Sequence, residues 1–282
     1  MAQQLLATAD RCQAWVDLYD TMDAQVDGGD DREFYLNLLQ DVVATRGVPC
    51  SVLELGVGTG RVLHYLAGRT ERTIFVGIDA SAPMLAVAKH KLMYNSAFRQ
   101  DRVTLIKGDM RNAADILGGS EKWFDMAYIA FNSFQCLLTP EDQERCLRAV
   151  HQSLRHGGIL AISIFDPNLE LCLPKSSWPR LAQEVVHPAT GRPWKIFVDS
   201  RHNDPERQVF HEQWRFVELN YMGNVINVQY GSLLMRWTYR YEMQHLLRCC
   251  GFKILNLFGD YDRGPFEYGG RQIWVVQKLD LE

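Results

Sequence analysis

Short β-rich runs alternate regularly with helical stretches in the first 165 residues, and this alternation constrains the fold more than any other feature. Five strand candidates share an apolar, β-branched character: Ser51–Leu55, Thr73–Asp79, Val103–Gly108, Phe124–Ala130 and Ile159–Phe165. Helical patterns separate them at Thr59–Gly68, Ala82–Asn95 and Pro140–Leu154. Strands alternating with helices of this length predict βαβ units and a mainly parallel α/β sheet.

Composition and charge exclude several functional classes. The chain has 282 residues, 47% of them hydrophobic, with 30 Lys and Arg against 34 Asp and Glu, which gives a net charge of −4. A nucleic-acid-binding protein needs a cluster of basic residues to displace phosphate counterions, and this sequence shows none. We therefore expect a globular protein whose main partner is not DNA or RNA.

The cysteine count and the hydropathy pattern predict reduced thiols and no membrane-spanning segment. The seven cysteines are odd in number and none are spaced as Cys-x-x-Cys, so neither a disulfide framework nor a structural zinc site is favoured. The longest strongly apolar run, Ile159–Phe165, is too short to span a bilayer. Residues 1–12 lack the pattern of a signal peptide, and we expect a cytoplasmic location.

The pattern along the chain predicts three parts. Residues 1–49 show helical periodicity and are expected to form an N-terminal cap. Residues 50–166 and 239–282 are expected to form the core, with His156–Gly158 as a helix stop before the fifth strand. Three β-rich segments without helices, Trp194–Arg201, Gln208–Asn220 and Val225–Tyr239, predict an antiparallel insert spanning 167–238.

A glycine-rich loop follows the first strand directly. Gly56, Gly58 and Gly60 have the spacing Gly-x-Gly-x-Gly, and Arg61 stands where a dinucleotide fingerprint would place its third glycine. The loop lies at the first strand-to-helix crossing, where open parallel sheets bind ligands. A purely structural turn is the alternative interpretation.

Carboxylates follow the next two strands. Asp79 ends the second strand and can accept two hydrogen bonds from a ribose diol. Asp109 follows the third strand and can accept from an adenine amine, with Met110 beside it as an apolar contact. Either aspartate alone could instead be a helix N-cap or a solvated loop charge. Together with the glycine loop, they indicate a nucleoside-containing cofactor.

At this point the sequence resembles the class I S-adenosylmethionine (SAM)-dependent methyltransferases. The resemblance rests on an ordered set of motifs: Val52-Leu-Glu-Leu-Gly-Val-Gly-Thr-Gly60, Val76-Gly-Ile-Asp-Ala-Ser-Ala-Pro-Met-Leu-Ala-Val-Ala88, Lys107-Gly-Asp-Met-Arg111, Phe131-Asn-Ser133 and Leu154-Arg-His-Gly-Gly-Ile-Leu160. It implies a Rossmann-like, seven-stranded sheet with a reversed last strand. It also implies SAM as the cofactor and the β-rich insert as a substrate lid.

The family resemblance implies a role for each matching residue. Three sets of residues would contact the methionine part of SAM. Glu54 would meet its amino group, and the backbone of Gly56, Gly58 and Gly60 would approach it closely. Phe131 and Asn132 would line it through backbone groups. Asp79 would hold the ribose. Met84 and Met110 would flank the adenine, with Asp109 at its amine. Tyr19 resembles the aromatic residue that closes the site in small-molecule members, although a core aromatic with a solvated hydroxyl is an equal alternative.

The substrate is inferred by elimination among subclasses. The Asn/Asp-Pro-Pro-Tyr signature of nucleic-acid-methylating members is absent after the fourth strand, and Ala130-Phe131 lacks the metal-binding aspartate of catechol-type members. We therefore expect a metal-independent enzyme that methylates a small molecule. Nitrogen is favoured, because the insert is similar to that of bacterial N-methyltransferases for amino sugars and amines.

Several points stay open at the level of sequence. Oxygen and carbon are the alternative acceptor atoms, and a catalytically inactive SAM-binding regulatory subunit is the alternative of a different class. His211 in the insert is the candidate general base. The oligomeric state is undetermined, a homodimer included.

Overall fold

The computed structural model of this protein describes residues 12–23, 31–94, 100–119, 124–168 and 178–279. The described residues fall into two compact units. The core unit combines Gly29–Pro167 with Thr238–Glu282, and the β unit combines the N-terminal segment with Asn168–Trp237. The predicted helix end at residue 95 and the N-terminal residues 1–11 lie outside the described ranges.

The core unit is built on a seven-stranded sheet. Its strands are β1 (Cys50–Leu55), β2 (Thr73–Asp79), β3 (Val103–Lys107), β4 (Phe124–Ile129), β5 (Leu154–Phe165), β10 (Phe252–Phe258) and β11 (Arg271–Lys278). Their order is β10-β11-β5-β4-β1-β2-β3, and only β11 runs antiparallel to its neighbours. The predicted seven-stranded, mainly parallel sheet with a reversed last strand is therefore confirmed.

Helices cover both faces of this sheet. They are α2 (Asp31–Arg46), α3 (Arg61–Ala67), α4 (Ala82–Tyr94), α5 (Ala113–Ile116), α6 (Pro140–Ser153) and α7 (Arg240–Cys249). Side chains of α2, α3 and α4 join one buried cluster, and those of α5, α6 and α7 join the other. Successive side chains of a strand point to opposite faces, so Leu53 and Val52 enter different clusters. Burial on both faces explains why the central strands are almost continuously apolar.

The start of α6 follows the sequence signals, whereas its end does not. Thr139 caps the helix by accepting a hydrogen bond from the Asp142 N–H, and Pro140 follows at the first position. The prediction that His156–Gly158 stops the helix is wrong, because α6 ends at Ser153 and β5 begins at Leu154. Extra residues are accommodated in an irregularity of the β4–β5 pairing, where Gly157 adopts a φ of 63°.

The β unit contains a four-stranded antiparallel sheet. Its strands are β6 (Arg180–Val186), β7 (Pro193–Asp204), β8 (Val209–Leu219) and β9 (Val225–Arg236), in the order β6-β7-β8-β9. The sequence predicted only the last three. Strand β6 was missed because Val185 is its one buried residue, which leaves too little apolar alternation to identify a strand.

Helix α1 (Gln13–Asp23) packs on one face of the four-stranded sheet. The Trp15 ring centroid lies 5.1 Å from that of Trp214 and 5.5 Å from that of Phe216. The Ala14 N–H donates to Gln229 Oε1 at 2.9 Å. Residues 1–49 are predicted as one helical cap, but the structure groups α1 with the β unit and α2 with the core unit. The aromatic contacts to β8 are the reason.

Among the described helices, none has the length and apolarity needed to cross a membrane.

Burial predicts very different losses of stability for alanine substitutions at two positions on the neighbouring strands β1 and β2. Leu53 on β1 has no exposed surface, whereas Ile74 on β2 is half exposed. We expect Leu53→Ala to lower the free energy of unfolding by about 2–5 kcal/mol, because a cavity remains in a close-packed interior. Ile74→Ala serves as the control and should cost less than about 1 kcal/mol. Denaturant unfolding measures both, and equal losses would contradict the assigned core.

Candidate active site at the carboxyl ends of the parallel strands

The loop between β1 and α3 depends on its three glycines. Gly56, Gly58 and Gly60 have φ values of 74°, 54° and 77°, a region that strains other residues. A Cβ on Gly56 would lie 2.7 Å from Ser133 Cβ, and one on Gly60 would lie 2.7 Å from His64 Cε1. A Cβ on Gly58 would meet no described atom within 4 Å. The first and third glycines thus allow packing within the protein, while the second borders open space.

Asp79 ties this loop to the end of β2. Its Oδ2 accepts a hydrogen bond from the Gly58 N–H, and its Oδ1 accepts one from the Ser81 N–H, both at 2.7 Å. A carboxylate offers about four acceptor positions, so two remain for a ligand. The predicted diol-binding role is compatible with this arrangement.

Asp109 is held by Arg111. Its Oδ1 accepts from the Arg111 N–H at 2.9 Å, and the Arg111 guanidinium also pairs with Asp142 at 2.8 Å. Partial burial raises the pKa of Asp109, but the hydrogen bonds and charge of Arg111 outweigh it and hold that pKa below its ordinary value. Asp109 therefore acts as an N-cap within an ion pair, and its contact with an adenine amine remains a prediction.

The two methionines predicted at the adenine differ in the structure. Met110 Cε lies 3.4 Å from the place where a Cβ on Gly56 would stand, so this side chain adjoins the glycine loop. Met84 on α4 has no exposed surface and packs inside the protein. A ligand cannot contact Met84 in this arrangement, and we assign it to the core.

Glu54 is a buried carboxyl group near the end of β1. It is 2% exposed and its Oε2 accepts a hydrogen bond from the Tyr128 hydroxyl at 3.0 Å. The Tyr128 ring stacks on Tyr35 at a centroid distance of 4.7 Å. Burial raises the pKa of Glu54 to about 8, so the group is largely protonated at neutral pH. A ligand cation at this point would favour the carboxylate form.

Arg61 joins three segments around the loop. Its guanidinium forms two hydrogen bonds of 2.6 Å with Asp31, whose side chain is 6% exposed at the start of α2. It also lies 5.7 Å from the ring centroid of Phe131, and Arg271 lies 5.9 Å from the same ring. Sequence reasoning missed Asp31 and Arg271. The arginine at the third-glycine position was a local signal, but its partners are distant in the chain.

The end of β4 is strained. Phe131 and Asn132 have φ values of 47° and 63°, which non-glycine residues seldom adopt. The Asn132 N–H donates to Ser163 O at 3.0 Å, while its buried Oδ1 receives no hydrogen bond from the described residues. A buried acceptor without a donor costs free energy, so a donor from a ligand would stabilise this arrangement.

The two predicted catalytic residues lie on different sides of the β-unit sheet. Helix α1, which carries Tyr19, packs on the face of β8 formed by Trp214 and Phe216. The side chain of His211 points to the opposite face, because side chains alternate along a strand, and its Nε2 lies 3.0 Å from Gln213 Nε2. Helix α1 and the His211 side chain therefore lie on opposite faces of this sheet.

The surroundings of His211 keep its imidazole neutral. Partial burial and the charge of His202, directly opposite on β7, lower the pKa of His211 below its ordinary value. A neutral imidazole can accept a proton, so the group is in the right form for a base.

No three His, Cys, Asp or Glu side chains among the described residues are grouped to hold a metal ion.

The fold and the strand-end geometry define a class. A seven-stranded sheet with a reversed last strand and a glycine loop after β1 is the architecture of class I SAM-dependent methyltransferases. Residues 52–158 match a family model described as a methyltransferase domain. Over these residues the chain is therefore similar to a methyltransferase domain.

Curated methyltransferases are similar to this chain over part of their length. The trans-aconitate 2-methyltransferase of Deinococcus radiodurans is 34% identical over 113 residues, which are 40% of this chain and 37% of that protein. The chain spans between 33% and 43% of the length of the curated relatives it matches.

Solved structures match nearly the whole chain. The methyltransferase CcbJ of Streptomyces caelestis has a TM-score of 0.68 and 22% identity, covering 94% of this chain and 96% of that one. The sugar N-methyltransferase KedS8 from Streptoalloteichus sp. ATCC 53650 has a TM-score of 0.66 and 18% identity, covering 94% and 92%. At such identities the likeness shows a shared fold.

The raised pKa of Glu54 predicts a pH-dependent stability. Between the unfolded pKa of about 4.3 and the folded value of about 8, the folded state binds the extra proton, so stability falls as pH rises. Glu54→Gln removes this titration. We expect wild type to lose on the order of 3–5 kcal/mol relative to Glu54→Gln between pH 4.5 and pH 8.5. Denaturant unfolding at several pH values measures this, and a constant difference would contradict the assignment.

Proposed function

We propose that this protein is a SAM-dependent methyltransferase that acts on a small-molecule nucleophile, most readily an amine or amino-sugar nitrogen. The observation that carries the proposal is the loop at residues 56–60, where a glycine with open space beside it is hydrogen-bonded to the carboxylate at the end of β2. This arrangement lets a ligand approach the backbone while a diol acceptor stands next to it.

The described residues fit the groups of SAM. Glu54 lies on β1 as a buried carboxyl that an ammonium group would convert to the charged form. Asp79 retains acceptor positions for the ribose hydroxyls. Asn132 Oδ1 and the backbone near Phe131 lie at the end of β4, where the methionine part is expected. When bound, SAM supplies a sulfonium-activated methyl group.

The chain's own contribution is positioning and exclusion of water. Arg61 and Asp31 hold the glycine loop, the start of α2 and the Phe131 ring in one arrangement. We infer that the β unit acts as the substrate lid, as expected from the insert at 167–238. A neutral amine carries its own lone pair, so transfer to nitrogen requires no protein base. His211 would accept a proton only if the nucleophile arrives protonated.

Two alternatives to this proposed function can be tested by experiment. Oxygen or carbon could be the acceptor atom, since one of the curated relatives is a malonyl-[acyl-carrier protein] O-methyltransferase. The chain could also bind SAM without turnover and act as a regulatory subunit. Support for nitrogen comes from the likeness to a sugar N-methyltransferase over 94% of this chain. We propose transfer without a metal ion.

A substrate screen separates the enzyme from the regulatory subunit. Purified protein with SAM is incubated with amino sugars, simple amines, phenols and carboxylic acids, and S-adenosylhomocysteine is measured. We expect turnover with at least one amine, and no loss of it after treatment with EDTA. Turnover confined to hydroxyl or carboxyl compounds would replace nitrogen with oxygen. Tight SAM binding without any product would favour the regulatory interpretation.

Asp79 provides a direct test of the cofactor site. Asp79→Ala removes the diol acceptor and the Gly58 hydrogen bond, so SAM affinity should fall by about 1–3 kcal/mol, or roughly 5- to 150-fold. Asp115→Ala is the control, because it removes an exposed carboxylate after the neighbouring strand. Calorimetric titration measures both. Unchanged affinity in Asp79→Ala would remove this residue from the site.

The opposite placement of Tyr19 and His211 predicts unequal kinetic effects. If the substrate binds on one face of this sheet, only one of His211→Ala and Tyr19→Phe is expected to lower kcat by 10-fold or more. SAM affinity should change little in either. Glu206→Ala is the control, because it removes an exposed side chain in the turn between β7 and β8. Equal losses of kcat in both variants, with intact SAM binding, would contradict the two-sided arrangement.

A further inference from the structure

Arg240 is a partly buried arginine at the start of α7. Its guanidinium lies 4.9 Å from the ring centroid of Phe266 and 5.2 Å from that of Tyr241. Within the described part of the chain, no carboxylate forms an ion pair with it, and its buried Nε donates no hydrogen bond. Carboxylates do pair with other arginines of the core unit, namely Arg61, Arg111, Arg148, Arg155 and Arg263.

The aromatic contacts hold this positive charge in place without neutralising it. A guanidinium is attracted to an aromatic ring within about 6 Å, and its N–H donors lie in its own plane. The acid nearest in sequence, Glu242, accepts from the Tyr239 N–H at 3.3 Å, and residues two positions apart on a helix do not face each other. A buried donor without an acceptor costs free energy, so an anionic ligand would stabilise Arg240.

Arg240 lies at the same edge of the sheet as the glycine loop. Asp166 directly follows β5, and Gln272 Nε2 donates to Asp166 Oδ1 at 2.6 Å and to Thr238 O at 3.0 Å. These bonds fix the chain just before α7 to the carboxyl end of β5. Phe266 lies in the connection between β10 and β11. Because β10 and β5 are both antiparallel to β11, they end at the same edge, and Phe266 meets Arg240 there.

Arg271 links this region to the end of β4. It is the first residue of β11 and stands opposite Phe165 of β5. Its guanidinium lies 5.9 Å from the ring centroid of Phe131 and 5.2 Å from that of Tyr261. The end of β4, where the methionine part of SAM is expected, and the surroundings of Arg240 thus border one continuous edge of the core unit.

We propose that Arg240 binds a carboxylate of the methyl acceptor, so that the acceptor is an amine that also carries an acid group, as an amino acid does. This inference rests on the proposed methyl transfer. The planar guanidinium matches the two oxygens of a carboxylate. Arg240 supplies one positive charge, which one carboxylate balances, whereas a phosphate monoester carries about −1.5 to −2 charges at neutral pH. An uncharged amine would leave the guanidinium without an anion.

Matched pairs of compounds test this role. The protein saturated with S-adenosylhomocysteine is titrated with amino acids and with their carboxamides, which differ only at the acid group. We expect at least one amino acid to bind about 10-fold or more tightly than its carboxamide, because a charge-assisted pair is lost in the amide. Turnover of the same pairs with SAM should differ in KM and not in kcat, since Arg240 does not contact the reacting atoms.

Three variants assign the preference to Arg240. Arg240→Gln should weaken binding of the amino acid about 10-fold or more and leave the carboxamide unchanged. Arg240→Lys should keep part of the preference, because it retains the charge and loses the planar fork. Arg248→Gln is the matched control, since it removes an exposed arginine from the same helix. SAM affinity and thermal unfolding should be unchanged in all three.

The titration and the turnover assay separate this inference from the proposed function. Absence of S-adenosylhomocysteine formation with every compound would count against methyl transfer, and the binding of the matched pairs is read without turnover. Equal binding of acids and carboxamides would overturn the role of Arg240. So would equal losses in Arg240→Gln and Arg248→Gln, or a preference confined to amino-sugar phosphates.

Discussion

The hydrogen bond from the Gly58 N–H to the Asp79 carboxylate is the constraint around which the candidate site is organised. It joins the turn after β1 to the end of β2, so two parallel strands and the helix that follows share one fixed point. The glycines on either side have conformations and contacts that a side chain would prevent. A backbone so held needs little rearrangement to receive a ligand, which reduces the entropy lost on binding.

Electrostatics at the same edge of the sheet are balanced in two ways. Arg61 and Asp31 form a nearly buried pair in which each charge satisfies the other through two hydrogen bonds. Glu54 lies close enough for the charges of Arg61 and Asp31 to act on its pKa. Its carboxyl group accepts a hydrogen bond from the neutral Tyr128 hydroxyl, and burial raises its pKa. The first pair is structural because its charges are already matched. The second group has a charge state that depends on what occupies the site.

The sequence predicted the core unit well because its signals are local. The positions of the strands, the Thr139 cap and the glycine loop can be recognised within a few residues, whereas the end of α6 was predicted wrongly. The sheet topology was implied by the family resemblance. The features it missed depend on distant contacts. The partner of Arg61 lies 30 positions earlier, and β6 has one buried residue. The face to which His211 points depends on where α1 packs, which no local pattern of β8 encodes.

The strain at the end of β4 is best understood together with the unpaired acceptor beside it. Two successive residues with positive φ cost free energy of order 1–3 kcal/mol each, and a buried carbonyl without a donor adds to that cost. The stable packing of β4, whose six residues are all buried, sustains this arrangement. A protein that needed only a turn here could use glycine and leave no acceptor unpaired. The unpaired Asn132 Oδ1 at the tip of β4 is thus an acceptor that a ligand carrying a hydrogen-bond donor would satisfy, in line with the function that we propose.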